Sequence, residues 1–558
     1  MDRFSELRTR NDVARILNVS RKELTYVLYI RKPDNYYYEF EIPKKSGGVR
    51  CISAPSGGLK YIQKKLAKYL YDYQRQIWKE KQITPHISHG FEKGRDITTN
   101  AIIHKNKRYV LNLDLESFFD SFHFGRVMGF FEKNNNFKAS HDVAVIIAQL
   151  ACYNGKLPQG SPCSPVITNL ICQSLDMCLL RVARRYRLDY TRYADDLTFS
   201  TNRKDFLDCY PNFLYEVKQE IGRNGFKIND SKTRIAYKDS QQKVTGLVVN
   251  RKVNIDRNYY KKTRAMAHKL YKTGEFVIDG KPGSIKQLEG RFAFIDRITK
   301  LNNKREGNNS NCHNFCNREA QYQKFLFYKY FFANEKPLIV TEGPTDILYI
   351  KAALMKYYKE YPELIEKDEN KGLEYKISFL RRTKRLHHFL GMSVDGASAM
   401  KTLYDYFIKG HNVPNYLFEL EQLSQKRMNM PVILLFDNET ITDRPLKDFL
   451  NHIKIKPEER QEFINKLAVS LIKDEKLYLM TIPLPNGKDE CEMEDLFPKH
   501  VLNHEISGKK FCRDSKHDTE TTYGKKIFAE YVFSNYEDID FSQYKPLLDN
   551  IRSVISNN

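Results

Sequence analysis

Residues Asp189–Ser200 read DYTRYADDLTFS. Two β-prone runs flank Ala194-Asp195-Asp196, a pattern that predicts a hairpin carrying two carboxylates at its tip. Adjacent aspartates in a turn are ordinarily solvated. Here Leu197 and Phe199 follow at once, and paired charge in an apolar setting is costly unless something neutralises it. A third carboxylate, Asp114, lies in a predicted strand over Arg108–Leu115 (RYVLNLDL). Asp114 with one of the pair would bridge two hard divalent cations about 4 Å apart, an arrangement that activates a hydroxyl nucleophile and stabilises a leaving pyrophosphate.

Working outward, helices are predicted over His141–Cys152, Ser164–Tyr186 and Asp205–Arg223, and a strand over Lys243–Asn250 (KVTGLVVN). Asn302–Asn317 is rich in Asn, Gly and Ser and reads as a linker. Gln321–Phe332 (QYQKFLFYKYFF) reads as a packed, aromatic connector helix. Beyond it, short apolar strands at Pro337–Thr341, Val432–Phe436 and Leu477–Pro483 alternate with helical stretches, which suggests an α/β unit with a mainly parallel sheet.

The chain has 558 residues, 41% hydrophobic and 29% charged, enough for two or three cores. It shows no run of 18 apolar residues and no apolar leader, so neither a membrane span nor a signal peptide is expected and a cytoplasmic setting is. The ten cysteines form no zinc framework. The formal charge of +23 is unevenly placed. Residues 1–330 hold 59 Lys+Arg against 33 Asp+Glu, whereas 331–558 hold 33 against 36. Residues 251–300 are densest, with aromatics interleaved as in Tyr259-Tyr260-Lys261-Lys262, a texture suited to phosphates and stacked bases.

Four ordered motifs over about residues 40–250 resemble those of reverse transcriptases. Tyr193-Ala194-Asp195-Asp196 resembles the YxDD box, and Asn112–Leu115 with Phe118-Phe119 the first metal-binding motif. Leu157–Pro162 (LPQGSP) resembles the nucleotide-site loop, and Phe226–Thr233 (FKINDSKT) the motif that follows. The resemblance implies a fingers, palm and thumb fold over 1–300, with a basic thumb near 251–300. It implies Mg2+ on Asp114, Asp195 and Asp196, with the Leu115 carbonyl as a further ligand. Phe119 would exclude a ribose 2′-hydroxyl. Gln159, Gly160 and Lys232 would line the nucleotide and template site, and Lys44, Lys45 and Arg50 would grip triphosphate and template. Arg50 is the strongest of these because a guanidinium binds two phosphate oxygens at once.

Two further boxes resemble the retron branch: Asn100-Ala101-Ile102-Ile103-His104 (NAxxH) and Val244-Thr245-Gly246 (VTG), with His89-Gly90-Phe91 and Gly94-Arg95 in support. The resemblance implies RNA contact by Asn100, Ala101, His104, Val244, Thr245 and Gly246. The expected partners are dNTPs and a noncoding RNA that serves as template and primer, the product being branched, RNA-linked msDNA.

A second carboxylate set follows the linker. Leu338–Asp346 (LIVTEGPTD) is a strand, a carboxylate, a Gly turn and a helix start, and Val432–Phe436 likewise ends in Asp437-Asn438-Glu439. Open α/β sheets carry their sites at such strand ends, and Glu342, Asp437 and Glu439 converging there would make a Mg2+ site. With the acidic run Glu492–Phe497, this order resembles the Toprim domain over about 335–500, with Glu342-Gly343 and Asp346 as its EGxxD box. Asp437-Asn438-Glu439 departs from the usual DxD. The resemblance implies one or two Mg2+ on Glu342, Asp346, Asp437 and Glu439, and phosphodiester hydrolysis with Glu342 as general base or ligand. Residues 301–334 are expected to connect the domains, and 501–558 carry no legible motif.

The whole resembles a retron reverse transcriptase fused to a Toprim effector of anti-phage defence. It would be held silent by the msDNA complex, would cut RNA in preference to DNA, and would form a homo-oligomer with msDNA. The alternatives are a mobile-element polymerase whose Toprim part processes its own DNA, and a Toprim domain that only binds nucleic acid.

Overall fold

A computed structural model describes residues 3–44, 47–84, 86–307, 311–312, 314–368, 372–393, 398–408, 413–440, 444–471, 476–485, 487–513 and 519–556. The chain forms two compact units, Met1–Asp256 and Arg257–Asn558.

In the first unit, a four-stranded antiparallel sheet runs in the order Asp189–Tyr193, Asp196–Thr201, Tyr109–Asp114, Arg234–Tyr237. The first two strands are the hairpin expected from DYTRYADDLTFS. The strand before it and the helices His141–Ala151, Ser164–Arg185 and Phe206–Arg223 also fall where the periodicity places them. Helix Ser164–Arg185 is long and apolar enough to cross a membrane by length and composition, but 67% of its apolar window is buried. Val166, Ile167, Leu170, Leu175 and Leu179 lie in the unit's core with Leu111, Leu113, Leu197 and Phe199 of the sheet. A two-stranded antiparallel ribbon, Tyr37–Pro43 with Val49–Pro55, projects exposed residues along most of its length. Lys243–Asn250 is not one strand. Its Lys243–Val244 and Leu247–Val248 segments pair as a tight hairpin, because Thr245 and Gly246 take φ of +46° and +85°, the left-handed pair a two-residue loop requires.

The second unit is built on a five-stranded sheet ordered Ser378–Phe379, Leu338–Val340, Val432–Phe436, Leu477–Thr481, Ala468–Ser470. All neighbours are parallel except the last, antiparallel edge strand. Period-two alternation gives the sheet two buried faces, as a parallel sheet needs. Leu338, Val340, Val432, Leu434, Phe436, Leu477 and Leu479 join one core. Ile339, Ile433, Leu435 and Met480 join the other.

The first of these cores crosses the domain boundary expected at residue 300. It also takes in Ala267, Leu270, Tyr271, Phe276, Leu288 and Phe292 from the helices Arg257–Thr273 and Ile285–Glu306, so the basic 257–300 segment packs with the second unit. The glue is the connector, a helix Asn317–Phe327 that widens into a π-turn at Tyr328–Phe332. It buries Tyr322, Phe325, Leu326, Phe327, Phe331 and Phe332 in that core. The linker expected over Asn302–Asn317 is still helical through Glu306, and the helix ends at Gly307, whose φ of +72° caps it. The described residues of 501–556, silent in sequence, reach the opposite core through Tyr523, Phe528, Val532, Phe541, Tyr544, Leu547 and Ile551.

Candidate functional site

Antiparallel register sets Asp114 directly opposite Asp196, and the Leu115 N–H donates to the Asp195 carbonyl at 3.0 Å. The three expected aspartates and Leu115 therefore share one end of the sheet. Lys232, from the turn after Phe226, places Nζ 3.0 Å from both oxygens of Asp114. Burial, then Asp114, raises the Asp195 carboxyl, with Lys232 and Arg50 opposing. Asp196 has exposed surface, yet the protein around it displaces water. With Asp195 and Asp114 near, its carboxyl is pushed up to about 7. Crowded, oxygen-only donors of this kind fit Mg2+.

The turn that carries Asp195 is strained and braced. Ala194, first of its two loop residues, has φ +56°, a conformation that costs a non-glycine residue roughly 1–3 kcal/mol. Beneath it, Arg192 is wholly buried and paired with Asp176 through Nε and Nη2, both at 2.8 Å. Its Nη1 donates to Asn169 Oδ1 at 3.1 Å and to the Ala194 carbonyl at 3.3 Å. The 87–90 segment runs alongside, with Arg192 N–H to Ile87 and His89 N–H to Arg192 backbone bonds. A Cβ on Gly90 would come within 2.6 Å of the Ala194 nitrogen. None of Arg192, Asp176 or Asn169 was expected from sequence, because an Arg two residues before an Asp pair carries no signal of its burial.

The expected nucleotide loop docks on the ribbon. The Ser53 N–H donates to the Gln159 carbonyl at 2.9 Å, and a Cβ on Gly160 would lie 2.6 Å from the Ser53 carbonyl oxygen. Gly160 also has φ +127°, so glycine is required there twice over. Buried Gln63, another residue without a sequence signal, accepts from Ser161 Oγ at 2.9 Å and donates to Tyr37 Oη at 2.8 Å. Lys44 and Arg50 are exposed near the ribbon tip, and Lys45 lies outside the described residues. Phe119 is half-buried, its ring 6.5 Å from that of Phe91.

Four of the six residues expected to contact RNA are buried in the structure. Asn100, Ala101, His104 and Val244 have no exposed surface. His104 places Nδ1 2.7 Å from Ser200 Oγ and Nε2 2.7 Å from Thr191 Oγ1, linking helix Ile97–Ile103 to the sheet, and burial lowers its imidazole to about 3. Thr245 Oγ1 reaches the Ile97 carbonyl at 3.4 Å, so the NAxxH helix and the VTG hairpin meet. Of the two boxes, Gly246 is exposed and Thr245 half-buried.

In the second unit, the expected acids gather at the C-terminal edge of the parallel strands. The Asp437 N–H donates to Glu342 Oε1 at 3.0 Å and the Gly343 N–H to Asp346 Oδ2 at 2.8 Å. The Met493 N–H donates to Asp437 Oδ1 at 3.0 Å. Burial, with Asp346 and Glu439 adding repulsion, pushes Glu342 up to about 8. Burial and Glu494 push Asp346 up to about 6. Asp437 is driven well above the carboxylate range by burial and by Asp346 and Glu342. Burial also raises Glu439, against Arg444 at 3.6 Å.

Two residues not assigned from sequence complete the group. Glu494 is buried, and Lys525, from the C-terminal segment, sits 2.9 Å from Glu492 Oε2 and 3.1 Å from Glu494 Oε2. The mutual repulsion of these buried oxygens fits a hard cation among them.

The family model described as Reverse transcriptase (RNA-dependent DNA polymerase) matches residues 42–249. Retron Ec86 reverse transcriptase of Escherichia coli is 33% identical over 298 residues, covering 53% of this chain and 86% of that protein. Retron Mx162 reverse transcriptase of Myxococcus xanthus is 32% identical over 327 residues, covering 52% of this chain and 64% of that protein. Retron Mx65 reverse transcriptase of the same organism is 34% identical over 281 residues, 47% and 62%. The match thus spans less than two thirds of the two Myxococcus proteins. Among solved structures, telomerase from Candida albicans in complex with a fragment of telomeric RNA covers 53% of this chain at 12% identity and a TM-score of 0.29, too slight a likeness to bear on the fold.

Proposed function

Because the chain belongs to the retron reverse transcriptase family, we propose that it copies its own structured noncoding RNA into branched, RNA-linked msDNA. The supporting observation is the meeting of Asp114, Asp195 and Asp196 at one sheet end, with Lys232 on Asp114. The three aspartates would hold Mg2+, which when bound supplies charge neutralisation for the attacking hydroxyl and the leaving pyrophosphate. Lys232 orients the Asp114 carboxylate. The Gln159–Gly160 loop, fixed to the ribbon at Ser53, forms the floor for the incoming dNTP, and Arg50 grips its triphosphate. Phe119 would refuse a ribose 2′-hydroxyl. Thr245 and Gly246 are the surface residues of the retron boxes offered to RNA.

We further propose that the second unit is a Toprim nuclease effector of anti-phage defence, kept silent by the msDNA complex. The support is the gathering of Glu342, Asp346, Asp437 and Glu439 beyond the strand ends, with buried Glu494 beside them. Glu342, its carboxyl raised by burial and by Asp346 and Glu439, would serve as metal ligand or general base.

The test is to purify the protein from cells carrying its locus, treat the bound nucleic acid with RNase and debranching enzyme, and run a denaturing gel. A discrete short DNA that shifts on debranching is expected; heterogeneous RNA, or none, would return the polymerase to the broader reverse-transcriptase class. For the second unit, Glu342→Ala is expected to spare msDNA and remove metal-dependent cleavage and defence. Wild-type defence in that variant sinks the effector assignment.

A further inference from the structure

Away from both acidic sites, three helices of the second unit bring together Asp296 of Ile285–Glu306, Glu319 of Asn317–Phe327 and His388 of Lys384–Leu390. Each offers a ligand atom, and these atoms all lie within 4.8 Å of one another. Among the described residues, this is the one group of three or more His, Cys, Asp or Glu side chains that does so. The cluster is also withdrawn from water. Glu319 is 1% exposed and the Asp296 side chain 13%.

Two of its atoms, Asp296 Oδ1 and His388 Nε2, are shut off from solvent with no hydrogen-bond partner among the described residues. Buried polar atoms are rarely left so, and each needs an explanation. Around the cluster the carboxylates are already held. Lys300 Nζ donates to Asp296 Oδ2 at 2.8 Å, Asn303 Nδ2 to Glu319 Oε1 at 3.2 Å and the Cys316 N–H to Glu319 Oε2 at 3.1 Å. Ligating groups generally carry such orienting donors.

We propose that Asp296, Glu319 and His388 form a structural site for a divalent transition ion of the Zn2+ class, clamping the helix Ile285–Glu306, the connector and Lys384–Leu390 together. One imidazole with two carboxylates selects such an ion over Mg2+, which prefers oxygen alone. A tetrahedral ion with bonds of about 2.1 Å holds its donors about 3.4 Å apart, so the side chains need close by little more than an ångström. Two carboxylates and one neighbouring ammonium leave a net negative charge for a dication to offset.

The experiment uses the full chain with its bound nucleic acid, purified without a histidine tag, stripped with chelator and titrated with Zn2+. Metal is read by mass spectrometry, and Co2+ substitution by visible absorption. One equivalent of tightly held Zn2+ per chain is expected. Asp296→Asn and His388→Gln should each weaken it at least tenfold, while a chain carrying Asp195→Asn and Glu342→Gln keeps it. Absence of saturable Zn2+ and Co2+ uptake by the wild type overturns the site, as does unchanged uptake in a folded His388→Gln variant. Should that variant not fold, the Co2+ spectrum of the wild type decides, since imidazole ligation gives a d–d band distinct from that of hydrated Co2+.

Discussion

Asp114 and Asp196 face one another across adjacent antiparallel strands, and the charge of Asp114 makes that of Asp196 harder to hold. The folded chain binds a proton at Asp196 up to about 7, against an ordinary 3.8. A carboxyl raised in this way lowers metal-free stability as pH climbs from about 4 to about 7. Mg2+ must displace that proton to bind. The thermal stabilisation by Mg2+ over EDTA should therefore grow between pH 6 and pH 8, and Asp196→Asn should flatten that growth. Equal Mg2+ shifts at both pH values in the wild type would refute the coupling.

Gly160 is the point at which the nucleotide loop and the ribbon touch. A methyl group there meets the Ser53 carbonyl at 2.6 Å on a backbone that already has φ +127°. Gly160→Ala must move the loop, and a shift of about 1 Å at a reacting site can lower the rate about 100-fold. Steady-state extension assays should show a raised KM for dNTP and at least a tenfold loss in kcat/KM. Since the ribbon also carries Arg50, the loss should be of triphosphate affinity more than of primer binding.

Arg192 and Asp176 form a buried ion pair under the turn that carries Asp195. Removing one partner strands the other, and Arg192→Met should cost about 3–5 kcal/mol in denaturant unfolding. Replacing both, as Arg192→Met with Asp176→Leu, should recover most of that stability but not polymerase activity, because the bonds to Ala194 and Asn169 stay lost. Full activity in the double variant would show that the pair is only structural.

The hairpin of Asp189–Thr201 is legible because its signal is local: two β-prone runs, a two-residue turn and a charge pair that the flanking apolar residues could not tolerate unaided. The parallel sheet was legible from Val432–Phe436, all five residues of which are buried. His104 shows where such reading stops. A spacing records that a residue recurs in a pattern, and does not say whether its ring faces a ligand or two hydroxyls of the neighbouring sheet. The packing departs from a boundary at residue 300 for a related reason. The basic face of Arg257–Thr273 dominates its sequence, while the few apolar residues that decide its packing, Ala267, Leu270 and Tyr271, find partners far along the chain. Lys525 likewise had no local signal, since its partners Glu492 and Glu494 come from another segment.

Lys525 is the cation that the second acidic group supplies for itself. Its side chain is 35% exposed while that of Glu494 is 2% exposed, so the pair is intermediate between a surface and a buried bridge. Lys525→Met should destabilise metal-free protein by roughly 1–3 kcal/mol. Adding Mg2+ should recover more of that loss than it adds to the wild type, since a dication then takes over the ammonium's work. Thermal melts of both proteins with EDTA and with Mg2+ measure this directly.

Glu342 gives the sharpest test of the second site's charge state. Its carboxyl is pushed from an ordinary 4.5 up to about 8, so between those values the folded chain holds a proton that the unfolded chain releases. Stability contributed by that proton is present below about 4.5 and is lost as pH rises through about 8. In EDTA the wild type should therefore melt lower at pH 9 than at pH 6. Glu342→Gln, which keeps the hydrogen bond from the Asp437 N–H and removes the charge, should show a shallower fall. Asp346 and Asp437 still titrate in the variant, so some slope persists. A Glu342→Gln protein with the wild-type slope would mean that Glu342 is ionised in the folded chain and that its neighbours alone carry the strain.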